Sequence, residues 1–114
     1  RTFSDPPLNV MPVELAPEPG RYAGARTLAF RAHHLRLKRK TPQAHAFVLN
    51  VASTEITGSE TYVHVNYNGQ QWVMLAHGVH AFAPASQLTA YLEPGDVLRF
   101  GPDGGAMALT AEAA

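Results

Sequence analysis

The fold is indicated most clearly by residues 60–76, which read ETYVHVNYNGQQWVMLA. The first part of this stretch alternates between two sets of side chains, which a strand places on opposite faces. One face would carry Thr61, Val63, Val65 and Tyr67, and the other Tyr62, His64 and Asn66. Asn68 and Gly69 follow, and both residue types tolerate the positive φ angles of a type I′ turn. We therefore predict a hairpin of Glu60–Tyr67 with Gln70–Ala76.

Short apolar segments separated by turn residues extend outward from this hairpin. They predict further strands at Val10–Leu15, Thr27–Ala32, Leu35–Lys38, Ala46–Ile56, Val97–Phe100 and Ala106–Thr110. The first half of Ala46–Ile56 is apolar on both faces, which is typical of a central strand. No segment has a convincing helical pattern, although Pro84–Tyr91 has room for one or two helical turns. We expect an all-β fold, a small barrel of the oligonucleotide/oligosaccharide-binding (OB) type.

Composition sets the limits of the interpretation. The chain has 114 residues, of which 46% are hydrophobic and 16% charged, as in a single globular domain. Five of the nine prolines lie in residues 1–20, which we expect to form an extended lead-in segment, with the barrel in residues 21–114. Cysteine is absent, which excludes disulfides and thiolate zinc sites. We find no signal peptide and no apolar run of about 18 residues. Since the chain starts at Arg1 rather than Met, we expect a piece of a longer cytosolic protein.

Charge is unevenly distributed although the formal net charge is zero. Residues 1–57 hold eight Lys or Arg against four acids, and residues 58–114 hold one against five. The simpler interpretation is a barrel with one basic and one acidic side. The alternative is a functional patch for an anion, in which Arg36, Lys38, Arg39 and Lys40 would contact phosphates. Such a run also suits a nucleic-acid site if Tyr62, Tyr67 and Trp72 supply stacking surfaces, but we expect those aromatics to be packing residues.

Motifs for catalysis are not found. No lysine follows a glycine, so a phosphate-cradling Walker loop is excluded, and no serine lies in a nucleophile elbow. Glu93 and Asp96 flank a turn glycine, and we interpret them as solvated turn residues. Six histidines raise the question of a metal. His33 and His34 would point to opposite faces of a strand, while His77 and His80 have the chance to converge in a loop. We expect ordinary surface histidines and no metal site.

Three stretches together resemble one family. Residues 4–11 (SDPPLNVM) look like the "PPMNFL" segment that follows the nucleotide-binding domain of importer ATPases. Residues 30–37 (FRAHHLRL) resemble the "GIRPEHLRL" stretch of the appended domain, and residues 54–65 (TEITGSETYVHV) its "VELLGSETYVHV" stretch. The resemblance is to the C-terminal TOBE domain of carbohydrate-uptake-type ABC importer ATPases, the group of the glycerol-3-phosphate and maltose importers.

The resemblance implies an OB-like regulatory and dimerisation domain without catalysis of its own. It implies no cofactor here, since ATP and Mg would belong to a nucleotide-binding domain outside this chain. The implied partners are a second copy of the ATPase subunit, the nucleotide-binding domain, the permease subunits, and a regulatory protein or small ligand. Nucleic acid is not an expected partner. The implied location is cytoplasmic, peripheral to the inner membrane.

Candidate contact residues follow from the same stretches. They are Arg31, His33, Gly58, Ser59 and Glu60. A glycine at 58 allows a bulge or sharp bend between two long strands, and Ser59 can satisfy backbone groups freed there, so a structural corner is the simpler interpretation. The chain departs from the family at Ala32 and His33, where Pro and Glu are usual. It also lacks the aromatic common near the family's C-terminus.

Two alternatives to a regulatory and dimerisation role stay open. The first is a small-ligand module for an oxyanion, to which the basic first half is suited. The second is an OB-type nucleic-acid-binding domain, which requires aromatic residues that can stack on bases.

Overall fold

In the computed structural model the protein is built from two antiparallel sheets, and the structure describes residues 8–103 and 105. The seven strands are β1 (Leu8–Pro12), β2 (Thr27–Arg31), β3 (His45–Thr57), β4 (Glu60–Tyr67), β5 (Gln70–His77), β6 (Gln87–Leu92) and β7 (Leu98–Phe100). Four 3₁₀-helices connect them, at Val13–Leu15, Pro19–Tyr22, Ala32–His34 and Pro94–Asp96. The described residues include no α-helix. The expected all-β, OB-like architecture is confirmed.

The first sheet has the order β1-β2-β7 and the second β5-β4-β3-β6. Within residues 1–20, expected as a lead-in segment, Leu8–Pro12 pairs along its length with β2, and Met11 is buried in the core. The two sheets share one aromatic cluster around Trp72 of β5. The ring centroid of Trp72 lies 4.9 Å from that of Phe30 in the other sheet, 5.3 Å from Phe47 and 5.0 Å from Tyr67.

The predicted hairpin is confirmed. Tyr67 pairs with Gln70 across the turn, and the φ angles of Asn68 and Gly69 are +46° and +83°. Two successive positive φ angles define a type I′ turn, whose twist matches that of the flanking strands. Along β4, Thr61, Val63 and Val65 are buried, as the alternation predicts.

β3 is the central strand of its sheet, as predicted, but only one of its faces is covered. His45, Phe47, Leu49 and Val51 are buried, whereas the residues between them are exposed. Val48 is 58% exposed, so the prediction of burial on both faces is wrong. Pairing with β4 shifts by one residue between Val51 and Ser53, and residues 55–59 beyond this bulge are exposed.

Two expectations for secondary structure are corrected, one for a strand and one for a helical turn. Leu35–Lys38 is not a strand, because only Arg36 forms a β-bridge there, to Tyr91. Pro84–Tyr91 is not helical, because Gln87–Leu92 pairs with β3 as β6 and buries Ala90 and Leu92. Backbone pairing with the long strand β3 outweighed the weak local preferences of residues 84–91 for helix or strand. The predicted strand Ala106–Thr110 lies outside the described residues.

No helix in residues 8–103 is of the length and apolarity needed to cross a bilayer.

Candidate functional site

A groove of about 600 Å³ lies between residues 33–40 and the end of β5. Cavities of roughly this size accommodate small-molecule ligands. The lining has a basic run on one side, imidazoles on both sides, and apolar residues that we call the floor. The lining residues are His33, Leu35, Arg36, Leu37, Lys38, Arg39, Lys40, Leu75, Ala76, His77 and His80. None of these lining residues is acidic.

The basic wall is attached at its start by Arg36. The Arg36 backbone exchanges two hydrogen bonds with Tyr91 of β6, with N–O distances of 2.9 and 2.7 Å. Its Nη1 donates to Asp96 Oδ2 at 3.0 Å. The guanidinium is therefore held in a half-buried ion pair, and the wall is tied to β6 and to the 3₁₀-helix that follows it.

The far end of this wall is attached by Glu93. Its carboxylate accepts hydrogen bonds from the Lys40 and Thr41 amides, both at 3.0 Å, and from the Thr41 hydroxyl. These bonds, led by the hydroxyl, lower the pKa of Glu93 below its ordinary value, against the effect of desolvation. Arg39 adds a hydrogen bond to the Ala44 carbonyl oxygen at 2.9 Å and lies over the Tyr91 ring, 4.8 Å from its centroid.

Lys38, Arg39 and Lys40 are the exposed cations of the wall, and Arg39 is engaged by the Ala44 carbonyl oxygen and the Tyr91 ring. Within the described part of the chain, no carboxylate lies within ion-pair distance of either ammonium group. Each ammonium group is thus available to an anion, while its backbone belongs to an anchored segment. Lysine binds phosphate as a compact point charge.

The imidazole wall is formed by the end of β5 and the residues after it. The Gly78 amide donates to the Ser59 carbonyl oxygen at 2.6 Å, and the buried Thr61 hydroxyl donates to the Gly78 carbonyl oxygen at 2.8 Å. The His80 amide donates to that hydroxyl at 3.1 Å, and His80 Nε2 to the His77 carbonyl oxygen at 2.8 Å. His77 and His80 do come together, but the contact joins the His80 ring to the His77 backbone carbonyl and not the two rings to each other.

His33 and His34 do not point to opposite faces of a strand, because they lie in the 3₁₀-helix Ala32–His34 with their ring centroids 4.1 Å apart. His33 lines the groove. His34 is half-buried, with Nε2 3.9 Å from Asp96 Oδ1 and with its buried Nδ1 lacking a hydrogen-bond partner. Burial lowers the pKa of His34, and Asp96 only partly opposes this effect.

Comparison with known families identifies the type of domain. The family model for the TOBE domain matches residues 28–108, which is well over half of the chain. The chain belongs to the TOBE family. TOBE domains are non-catalytic regulatory and ligand-binding modules of ABC transporter ATPases. No curated protein sequence matches the chain significantly.

The five contact residues predicted from sequence do not form one site in this TOBE domain. His33 lies in the groove, and Arg31 is half-buried at the end of β2, outside it. Gly58 and Ser59 are the two-residue turn between β3 and β4, with φ of +59° at Gly58, which supports the structural corner. The β3–β4 hairpin also contacts the imidazole wall. The Ser59 carbonyl oxygen accepts a hydrogen bond from the Gly78 amide, and Glu60 Oε2 lies 3.4 Å from His77 Nδ1.

The prediction that Glu93 and Asp96 are solvated turn residues is wrong. Glu93 is 8% exposed, and both carboxylates hold the basic wall of the TOBE groove in place. The turn sequence 92–96 carried no local signal for this role, because the partners of Glu93 and Asp96 lie more than fifty positions earlier in the chain. The only hint of these contacts in the sequence is a basic run that ends in a threonine, with two acidic residues later in the chain.

The groups that the sequence suggested for metal or nucleic-acid binding can be placed within the described residues. Among the described residues, no three His, Asp or Glu side chains cluster closely enough for a metal ion. Trp72 is 1% exposed, and Tyr67 stacks on it while donating its hydroxyl to the Leu15 carbonyl oxygen at 3.0 Å. Trp72 is a packing residue, as expected, and the half-buried Tyr67 packs on it.

Proposed function

We propose that this TOBE domain is a regulatory and dimerisation module of the ATP-binding subunit of an importer for a sugar, a polyol phosphate or a similar solute. The observation that carries the proposal is the family match over residues 28–108, on a two-sheet β fold. The three sequence stretches that resemble carbohydrate-uptake-type ATPases support the narrower assignment.

This proposal defines the surroundings of the domain. ATP and Mg would bind to the nucleotide-binding domain of the parent subunit, and this chain would take no cofactor. Its partners would be that domain, a second ATPase subunit and, through the parent, the permease subunits. The location would be the cytoplasmic side of the inner membrane.

We propose the β3–β4 hairpin beyond the bulge as the contact with the second copy. This part of the hairpin carries Gly58, Ser59 and Glu60, and it exposes Ile56, of which 49% is accessible. An exposed isoleucine beside polar turn residues suits a small, weak interface with an apolar centre and a polar rim.

Analytical ultracentrifugation over a concentration series tests dimerisation. We expect a weak homodimer that is populated as the concentration approaches about 1 mM. Ile56→Ser should weaken association. Val48→Ser should not, because Val48, although more exposed at 58%, lies on the same strand before the bulge. A strict monomer at that concentration contradicts the dimerisation role, and equal weakening by both substitutions contradicts the hairpin as the contact.

A further inference from the structure

We propose that the groove between residues 33–40 and the end of β5 binds a small phosphate-bearing metabolite, with its phosphate at Lys38 and Lys40 and its carbon body over the apolar floor. This ligand would be the signal that the regulatory domain reads. Only this regulatory role of the ligand rests on the proposed function, since binding is measurable whether or not the chain dimerises.

The charge of the groove selects an anion. Four of the lining residues are Lys or Arg, and none is Asp or Glu. Arg36 is committed to Asp96, and Arg39 to the Ala44 carbonyl oxygen and the Tyr91 ring. Lys38 and Lys40 are left as ammonium groups without an acidic partner in residues 8–103. Because both lysines line the same groove, their positive potentials add there and attract an anion.

The wall that carries these lysines is held in place before any ligand arrives. Lys38 lies between the Arg36 bridge to β6 and the amides that Glu93 binds at Lys40 and Thr41. Anchors on both sides restrict the backbone of the segment. A ligand therefore has to order only the lysine side chains, which lowers the entropic cost of binding.

The floor and the second wall select the rest of the ligand. Leu37, Leu75 and Ala76 are half-buried and give the floor of the groove its apolar surface. On the β5 side, His77 Nε2 and His80 Nδ1 can exchange hydrogen bonds with hydroxyl groups, because the contacts with Glu60 and the His77 carbonyl use the other ring nitrogens. His33 adds a third imidazole from the side of residues 33–40. A phosphate on a short carbon chain with hydroxyls matches all three surfaces, and the groove of about 600 Å³ has room for it.

The experiment is a titration of the isotopically labelled chain followed by two-dimensional NMR. Glycerol 3-phosphate is the probe, and glycerol and inorganic phosphate are the comparison ligands. We expect glycerol 3-phosphate to shift amides of residues 36–40 and 75–80 at concentrations up to about 10 mM. Inorganic phosphate should shift the basic wall more weakly, glycerol should shift nothing, and added salt should weaken binding.

Matched variants assign the site. The double substitution Lys38→Gln/Lys40→Gln should reduce affinity about tenfold or more, because two charged contacts are lost. Arg26→Gln removes an exposed cation elsewhere and should change affinity less than about twofold. Thermal melting of both variants establishes that they fold, and neither exchanged lysine side chain contributes a hydrogen bond within the described chain.

Four outcomes overturn the proposal. They are no shift at the highest concentration, equal shifts with glycerol, undiminished binding by a folded double variant, and shifts confined to residues outside the groove. An acidic peptide that shifts the groove while glycerol 3-phosphate does not would also overturn it, and would identify the groove as a protein-docking surface.

Discussion

At the scale of single residues, the most unusual feature is a buried polar pair. The Tyr22 hydroxyl and His45 Nε2 share a hydrogen bond of 2.7 Å, and both side chains are buried. Burial raises the pKa of Tyr22 to about 12, partly offset by Arg21 and Arg99, so its hydroxyl stays protonated in the neutral range. Burial also lowers the pKa of His45, although Glu18 Oε1, 3.9 Å from Nδ1, opposes this shift.

These shifts predict a dependence of stability on pH. A histidine whose pKa is lowered in the folded state binds its proton more readily when unfolded, so acid favours the unfolded chain. The stabilisation is complete above the ordinary pKa of 6.5 and is lost as the pH falls below it. His34 acts in the same direction. We expect the free energy of unfolding in urea to be lower at pH 5 than at pH 7.5. Glu93 adds its own loss only below its ordinary value of 4.5.

Two glutamine substitutions separate the sources of this dependence. His45→Gln should make the loss between the two pH values smaller, because a neutral side chain replaces the buried imidazole. His77→Gln is the control, since that side chain is 84% exposed and should leave the difference unchanged. If His45→Gln and the wild type lose the same free energy, the buried pair is not the source.

At the scale of elements, β1 and β5 are joined by the side chain of Asn9, which forms the two hydrogen bonds that a neighbouring strand would form with β5. Asn9 Nδ2 donates to the Val73 carbonyl oxygen at 2.9 Å, and the Val73 amide donates to Asn9 Oδ1 at 2.8 Å. Trp72 Nε1 donates to the Val10 carbonyl oxygen at 2.8 Å beside this pair. At Val73 the edge of β5 is thereby engaged by the other sheet, which makes pairing with another strand at this position less favourable.

Asn9→Ala should be costly for its size. Asn9 is 4% exposed, and removal of its side-chain amide leaves the amide and carbonyl of the half-buried Val73 without these partners. We expect a loss of about 1–3 kcal/mol in the free energy of unfolding, measured in urea. Asn50→Ala is the matched control, because Asn50 is exposed and its amide oxygen accepts only a long 3.4 Å bond from Gln87. A loss no greater than that of Asn50→Ala would show that the bidentate pair does not stabilise the junction.

Element prediction succeeded where side-chain alternation and turn chemistry agree. The hairpin at Asn68-Gly69 is such a case, since both signals are local and steric. β6 was missed because its partner β3 lies some forty positions earlier, and pairing with it decided a segment without strong propensity. The same reason explains residues 35–38, where a single bridge to β6 replaced the predicted strand.

At the scale of the whole molecule, the two sheets share one core. The aromatic cluster combines Phe30 of the first sheet with Phe47, Tyr67 and Trp72 of the second. Neither sheet can be exposed without opening this cluster, so we expect one cooperative transition, as is usual for single domains of this size.

The single tryptophan makes this cooperativity measurable. Trp72 fluorescence reports on the junction of the sheets, and far-ultraviolet circular dichroism reports on all strands. Urea transitions from the two signals should have the same midpoint. Separate midpoints would mean that the sheets unfold independently and that the shared cluster does not couple them.

The sequence by itself determined the all-β class, the central hairpin and the absence of a Walker loop, because side-chain period and turn preference act over a few residues. Only the tertiary structure decided the groove. Arg36 meets Asp96 sixty positions away, and Glu93 meets the amides of residues 40 and 41 at a similar distance along the chain. Such contacts depend on the path of the whole chain, and no local rule specifies which loop a buried carboxylate will reach.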